Sequence, residues 1–156
     1  MKYDKVAEPE GIMVPDKKKL YVGCGLTLAS EEFKNNVEEL KKRLSDDYEI
    51  MQFLGLVAGN EEDVYQRDII ENVGGCDAFL GVCDEPSIGL GWELRESIVL
   101  GKPTLGVAHL GSKVTRLVLG APAFNPNFSF RRYEDMVQDV PELVKVELFR
   151  PVEAQT

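Results

Sequence analysis

Apolar and polar positions along the chain follow two periods. Short, mostly apolar runs occur at Lys19–Gly23 (KLYVG), Ala78–Val82 (AFLGV) and Pro103–Ala108 (PTLGVA). Runs of this length read as strands buried on both faces, as in a parallel sheet. Between them, apolar side chains recur three or four residues apart. Phe33, Val37, Leu40 and Leu44 mark one face of a predicted helix, Glu31 to Leu44. Ser30 is its expected N-cap, with Glu31 and Glu32 in the first turn. Tyr65, Ile69 and Val73 stripe a second helix, Glu61 to Val73. Leu94 and Ile98 mark a third, Trp92 to Leu100, stopped by Gly101. Tyr48–Phe53 and Phe128–Arg132 read as further strands. Ser112–Leu119 reads as a short helix, and Glu142–Phe149 as a last helix opened by Pro141.

Strands alternating with helices predict an α/β fold of one doubly wound, flavodoxin- or Rossmann-like domain. About five mostly parallel strands are expected, with helices on both faces. The domain is expected to span residues 18–150. Residues 1–17, with Pro9, Gly11 and Pro15 among charges, read as a flexible N-terminal arm, and Pro151 to Thr156 as a frayed tail. No internal repeat or second domain is evident.

Composition narrows the partners. The 156 residues carry a formal net charge of −9, which disfavours nucleic-acid polymers and anionic membranes. A small anion remains possible through local backbone N–H groups. Cys24, Cys76 and Cys83 lack metal-type spacing and read as free thiols in a reducing, cytoplasmic setting. No run approaches membrane-spanning length.

The candidate chemistry lies in the loops after strands. Gly23-Cys24-Gly25-Leu26-Thr27 follows the first, and its two glycines let backbone come close to a ligand. The third glycine of a dinucleotide fingerprint is missing, and no acidic residue ends the second strand as a ribose contact requires, unless Glu49 is misplaced, so NAD binding is disfavoured. His109 follows a strand, but no Ser or Cys motif points to a triad, and it reads as a bystander. After Ala78–Val82 comes a loop with Pro86, Ser87, Gly89 and Gly91, then Glu93 in the predicted first helical turn. Ligands bind at the carboxyl edge of open α/β sheets, where Glu93 is expected. A helix N-terminus favours an ionised carboxylate by about 0.3–1 kcal/mol, lowering its pKa by less than about one unit. That suits a nucleophile, which must be ionised. A glutamate that only complements the helix dipole is the alternative. Asp68 edges the Ile69 stripe, where partial desolvation raises a carboxyl pKa. On the pattern alone, an ordinary solvated aspartate is the favoured reading.

Three stretches together resemble the nucleoside 2-deoxyribosyltransferase superfamily. They are Leu20–Gly25 (LYVGCG), Gln66–Ile69 with its Arg67-Asp68 pair, and Cys76–Lys102. Glu85-Pro86-Ser87-Ile88-Gly89-Leu90-Gly91-Trp92-Glu93-Leu94 is most similar to the branch of 2′-deoxynucleoside 5′-monophosphate N-hydrolases. The resemblance spans roughly Lys19 to Ala121. It implies Glu93 as nucleophile toward the anomeric carbon and Asp68 as the acid assisting departure of the base. It implies a carboxyl separation of about 5–5.5 Å, as in retaining glycosidases. It implies Ser87 with the Gly89 and Gly91 amides as the phosphate site, Gly23, Gly25 and Leu26 along the substrate, and Thr115 reaching the phosphate from a neighbouring subunit. It implies no cofactor or metal, a small nucleoside or nucleotide as partner, and a homodimer or larger homo-oligomer. One departure stands out: the hydrolases usually carry a phosphate-holding serine and arginine after the first strand, where this chain has Gly25 and Thr27. Base exchange on a nucleoside, and a non-catalytic nucleotide-binding module, are the alternative functions.

Overall fold

The computed structural model describes residues 16–51 and 59–150. Five strands form one all-parallel sheet: β1 (Lys19–Cys24), β2 (Glu49–Ile50), β3 (Ala78–Val82), β4 (Thr104–His109) and β5 (Phe128–Tyr133), in spatial order β2-β1-β3-β4-β5. The chain leaves β1 toward β2 and returns on the other side to β3. That reversal opens a crevice at the carboxyl ends of β1 and β3, the place where such sheets bind ligands.

Alternation along β1 divides the core. Leu20 and Val22 point to one face, with Leu80, Val82, Leu105 and Val107, under α1 (Glu31–Leu44) and α5 (Met136–Leu148). Tyr21 points to the other face with Phe79, Leu90, Leu94 and Val73. Helices on both faces follow from strands apolar on both faces, and the doubly wound expectation holds.

The helices refine the predicted boundaries. The α1 bounds agree, and Ser30 Oγ accepts the Phe33 N–H at 3.1 Å. The second helix begins as α2 (Glu61–Tyr65) and continues as a π-helical segment, Gln66–Val73. The winding changes just after Tyr65, which is half exposed, so the buried stripe runs through Ile69, Asn72 and Val73 instead. The third helix, α3 (Ile88–Val99), starts one turn earlier than predicted. Gly89 and Gly91 read as loop residues, but the Ser87 cap and the burial of Leu90 and Leu94 outweigh their weak helix propensity. Gly101 ends α3 with φ of 75°. The short α4 (Arg116–Gly120) is capped by Thr115. The last helix also starts earlier, because Asp135 caps it and Met136, Val140, Val144 and Leu148 bury at a spacing of four. Pro141 therefore lies inside α5 rather than at its start.

Of the predicted second strand, Gln52 and Phe53 lie outside the described residues, as do Met1–Pro15, most of the following loop and the tail. No helix of the described residues is long and apolar enough to cross a membrane.

Candidate active site

The crevice is built by three elements. The end of β1 supplies Tyr21, Gly23 and Gly25. The loop after β3 supplies Glu85 to Ser87 and leads into α3, which carries Glu93. The π-helical segment supplies Asp68 and Asn72.

Glu93 is buried, with 7% of its surface exposed. It sits in the second turn of α3, not the first, because the helix begins at Ile88. The dipole effect fades beyond the first turn, and burial dominates. The Glu93 carboxyl is pushed up from its ordinary value of 4.5 to about 7, chiefly by desolvation. This reverses the direction expected from a first-turn position. The Tyr21 hydroxyl opposes the rise, and the Asp68 charge adds to it. The Asp68 carboxyl is also raised, by its own partial burial against the opposing pull of Arg67. The Asp68 charge thus reaches Glu93 across the crevice.

Tyr21 is fully buried, stacked on Phe79 with ring centroids 5.3 Å apart. Burial, then the Glu93 charge, raises its hydroxyl well above the usual range, so it stays protonated and able to donate. Among the described residues, neither the Tyr21 hydroxyl nor Glu93 Oε2 has a hydrogen-bond partner of good geometry. The hydroxyl is still near enough to hold the Glu93 carboxyl below where burial alone would take it. A buried carboxylate oxygen without a full partner is costly and marks a site built for something other than stability. Asn72, buried on the π-helical segment, is the other polar neighbour of Tyr21.

The glycines after β1 make room for protein as much as for ligand. A Cβ on Gly23 would stand 2.9 Å from Phe79 Cε2 and 3.4 Å from Glu93 Oε2. A Cβ on Gly25 would stand 2.9 Å from Ser87 Cβ and 3.0 Å from the Glu85 carbonyl oxygen. Both positions therefore bring the end of β1 into contact with the loop and helix that carry Ser87 and Glu93. Leu26, next along, is half-buried and Thr27 exposed.

Ser87 caps α3, its Oγ accepting the Leu90 N–H at 3.1 Å. The Gly91 amide already donates to the Ser87 carbonyl at 3.1 Å, whereas the Gly89 amide lies in the first turn, where no helical acceptor exists. Thr115 caps α4 and, with Ser87, Pro86, Leu90 and Lys113, lines a groove of about 540 Å³ between α3 and α4. Glu93 faces the other way, toward Gly23 and Tyr21. The fold thus gathers Glu93, Asp68, Gly23, Gly25 and Ser87 around the crevice and leaves Thr115 across α3 from Glu93. His109 at the end of β4 donates its N–H to Asp84 Oδ1 at 2.8 Å, and its Nδ1 accepts the Gly111 N–H at 3.0 Å.

No family model matches the chain, and no curated protein matches it by sequence. Solved structures do. A CMP N-glycosidase of Clostridium botulinum, BcmB, superposes with a TM-score of 0.65 at 16% identity, over 84% of this chain and 100% of that one. A 2-deoxyribosyltransferase from Leishmania mexicana gives 0.55 at 18% identity, over 85% and 99%. A 2-deoxyribosyltransferase from Bacillus psychrosaccharolyticus gives 0.53 at 19% identity, over 78% and 90%. The chain has the fold of these enzymes. That is the fold the sequence resemblance implied.

Two polar residues of the crevice escaped the sequence reading, Tyr21 and Asn72. The signal for Tyr21 was present: a tyrosine within a strand buried on both faces needs a partner for its hydroxyl. Asn72 had none, because it looks like a polar helix position until the π winding turns it inward.

Proposed function

We propose that the protein is an N-glycosidase that cleaves the base from a (2′-deoxy)nucleoside 5′-monophosphate. The carrying observation is the Glu93 carboxyl, buried beside Tyr21 with an unpaired oxygen at the ligand-binding edge of the sheet. The fold shared with a CMP N-glycosidase and with deoxyribosyltransferases supports this reading. In the proposed reaction, ionised Glu93 attacks the anomeric carbon as the bond to the base nitrogen breaks. Protonated Asp68 gives its proton to the leaving base. Water then adds to the glycosyl-enzyme, and Asp68 takes back a proton as the ester to Glu93 breaks. Tyr21 steadies the Glu93 carboxylate between the two steps. Ser87, with the open end of α3, holds the 5′-phosphate.

The second copy of a homodimer is proposed to bring its Thr115 toward this phosphate, since a chain's own Thr115 lies across α3 from Glu93. The exposed apolar side chains Ile88 and Leu117 line the groove that such a neighbour would cover. The three unpaired cysteines suit a reducing cytoplasm.

Base exchange is the second reading. Gly23-Cys24-Gly25 lacks the phosphate-holding serine and arginine of the hydrolases and is nearer the bacterial transferases, which favours an unphosphorylated nucleoside. The test incubates the protein with deoxynucleosides and their 5′-monophosphates, with and without a second free base, beside Glu93→Ala. Free base from monophosphates in water, lost in the variant, is the expected result. Exchange that needs an acceptor moves the protein to the transferases. Binding without turnover sinks both and leaves a nucleotide-binding module.

A further inference from the structure

Just upstream of Ser87, Asp84 receives three hydrogen bonds from parts of the chain far away in sequence. Its Oδ1 accepts the His109 N–H at 2.8 Å and the Ser112 hydroxyl at 2.9 Å. Its Oδ2 accepts the Tyr133 hydroxyl at 2.8 Å. The same loop is held from below by Arg132, whose Nη1 donates to the Ser112 carbonyl at 2.6 Å and the His109 carbonyl at 3.0 Å. Arg132 is itself steadied over the Phe130 ring at 5.2 Å. One carboxylate and one guanidinium thus join the end of β3, the loop after β4 and the end of β5.

Both segments fixed by this cluster lead to positions the proposed function uses, Ser87 for this chain's own phosphate and Thr115 for that of the neighbouring copy. Three residues after Asp84 comes Ser87, whose loop packs against Gly25 too closely to admit a Cβ there. Three residues after Ser112 comes Thr115, across the groove from Ser87. Hydrogen bonds to a charged carboxylate are strong and directional, and none of the three partners is a neighbour in sequence. Short links then transmit the position of Asp84 to both rims.

We propose that Asp84 is a positioning residue that fixes the Ser87 rim and the Ser112–Thr115 rim relative to each other, and so sets recognition of the substrate's 5′-phosphate end. The proposal rests on the nucleotide reading above. It touches no reacting atom, so its effect belongs in KM for the phosphorylated substrate rather than in kcat.

The test compares Asp84→Ala and Asp84→Asn. The asparagine can keep the geometry, with Oδ1 accepting the same two donors and its NH₂ donating to the Tyr133 oxygen. Losing bonds of this kind corresponds to about tenfold or more in affinity. Asp84→Ala is expected to raise KM for a nucleoside 5′-monophosphate by about that factor and to leave kcat, and KM for the unphosphorylated nucleoside, within about threefold. Asp84→Asn is expected to restore most of the lost KM. Amide exchange gives a readout that needs no turnover: residues 85–91 and 110–116 should exchange faster in Asp84→Ala, while β1 and α1 stay protected. Uniform acceleration across the chain, or equal changes in KM for both substrates, would overturn the proposal. If the wild type cleaves nothing, the functional reading fails while the exchange pattern still decides whether Asp84 positions the two rims.

Discussion

The elevated pKa of Glu93 makes a prediction about stability that needs no substrate. The perturbation is Glu93→Gln, read across pH. In the folded protein the carboxyl titrates near 7 instead of 4.5, mainly through burial. Below about pH 4.5 the group is protonated in both states and costs nothing. Between about 4.5 and 7 the unfolded chain releases the proton while the folded chain keeps it, so stability falls as pH rises. Above 7 both states are ionised and the full penalty stands. At about 1.4 kcal/mol per pH unit, the rise from 4.5 to about 7 comes to roughly 3 kcal/mol. That is a large share of a typical stability of about 5–15 kcal/mol. The assay is urea unfolding of wild type and variant at pH 4, 5.5, 7 and 8. The variant should gain on the wild type steadily from pH 4.5 to 7 and lead by about 3 kcal/mol at pH 8. In thermal melts a lead of that size is roughly 6–12 °C for a domain of this length. Any loss from the amide's own unmet hydrogen bonds is independent of pH, so the pH slope of the difference is the diagnostic quantity. A difference that does not change with pH would falsify the argument that Glu93 is buried and forced to ionise.

Three further outcomes follow from the same geometry. Tyr21→Phe removes the hydroxyl that holds the Glu93 pKa down, so the acid limb of kcat/KM, expected near pH 7, should move to higher pH; an unmoved limb would break the link between Tyr21 and Glu93. Gly23→Ala drives a methyl to 2.9 Å from the Phe79 ring and 3.4 Å from Glu93 Oε2, which should cost about 1–3 kcal/mol in chemical denaturation and lower kcat as well. Ser87→Asp keeps an N-cap for α3 but adds negative charge, so stability should stay within about 0.5 kcal/mol while binding of the monophosphate falls and that of the nucleoside does not; calorimetric titration with both ligands separates the cases.

The parts of the fold that were legible in the sequence are those set by local pattern. The α1 bounds, the β3 bounds and the Gly101 stop each depend on a few neighbouring residues and one period. Where the reading slipped, a distant contact decided. Gly89 and Gly91 argue locally for a loop, but Leu90 and Leu94 find a place against Gly81, where a Cβ would stand 2.9 Å from Leu94 Cδ2, and the helix forms a turn earlier. Pro141 argues locally for a helix start, but the buried row from Met136 to Leu148 outweighs one missing N–H. The π winding after Tyr65 has no local signature in the chain at all.

The same distinction governs the site. That an acid would stand near the carboxyl edge of β3 could be read from strand, loop and helix alone. Its electrostatic character could not, because burial of Glu93 depends on a glycine from β1, a phenylalanine from β3 and a tyrosine from β1 meeting over it. The shift of one helical turn in where α3 begins changes which force dominates. A first-turn glutamate is held ionised by the helix, whereas one in the second turn beneath Gly23 and Phe79 is pressed toward its neutral form. An attacking carboxylate and a proton-giving one make opposite demands on pKa, and here both acids are raised. In the proposed mechanism the division of roles must therefore come from what distinguishes their surroundings. Glu93 has the buried Tyr21 hydroxyl, which favours its ionised form, whereas at Asp68 the only such help is the charge of the partly exposed Arg67, which solvent screens. Tyr21, whose buried hydroxyl was the overlooked signal in the sequence, is thus the group that biases Glu93 toward the carboxylate the proposed attack requires.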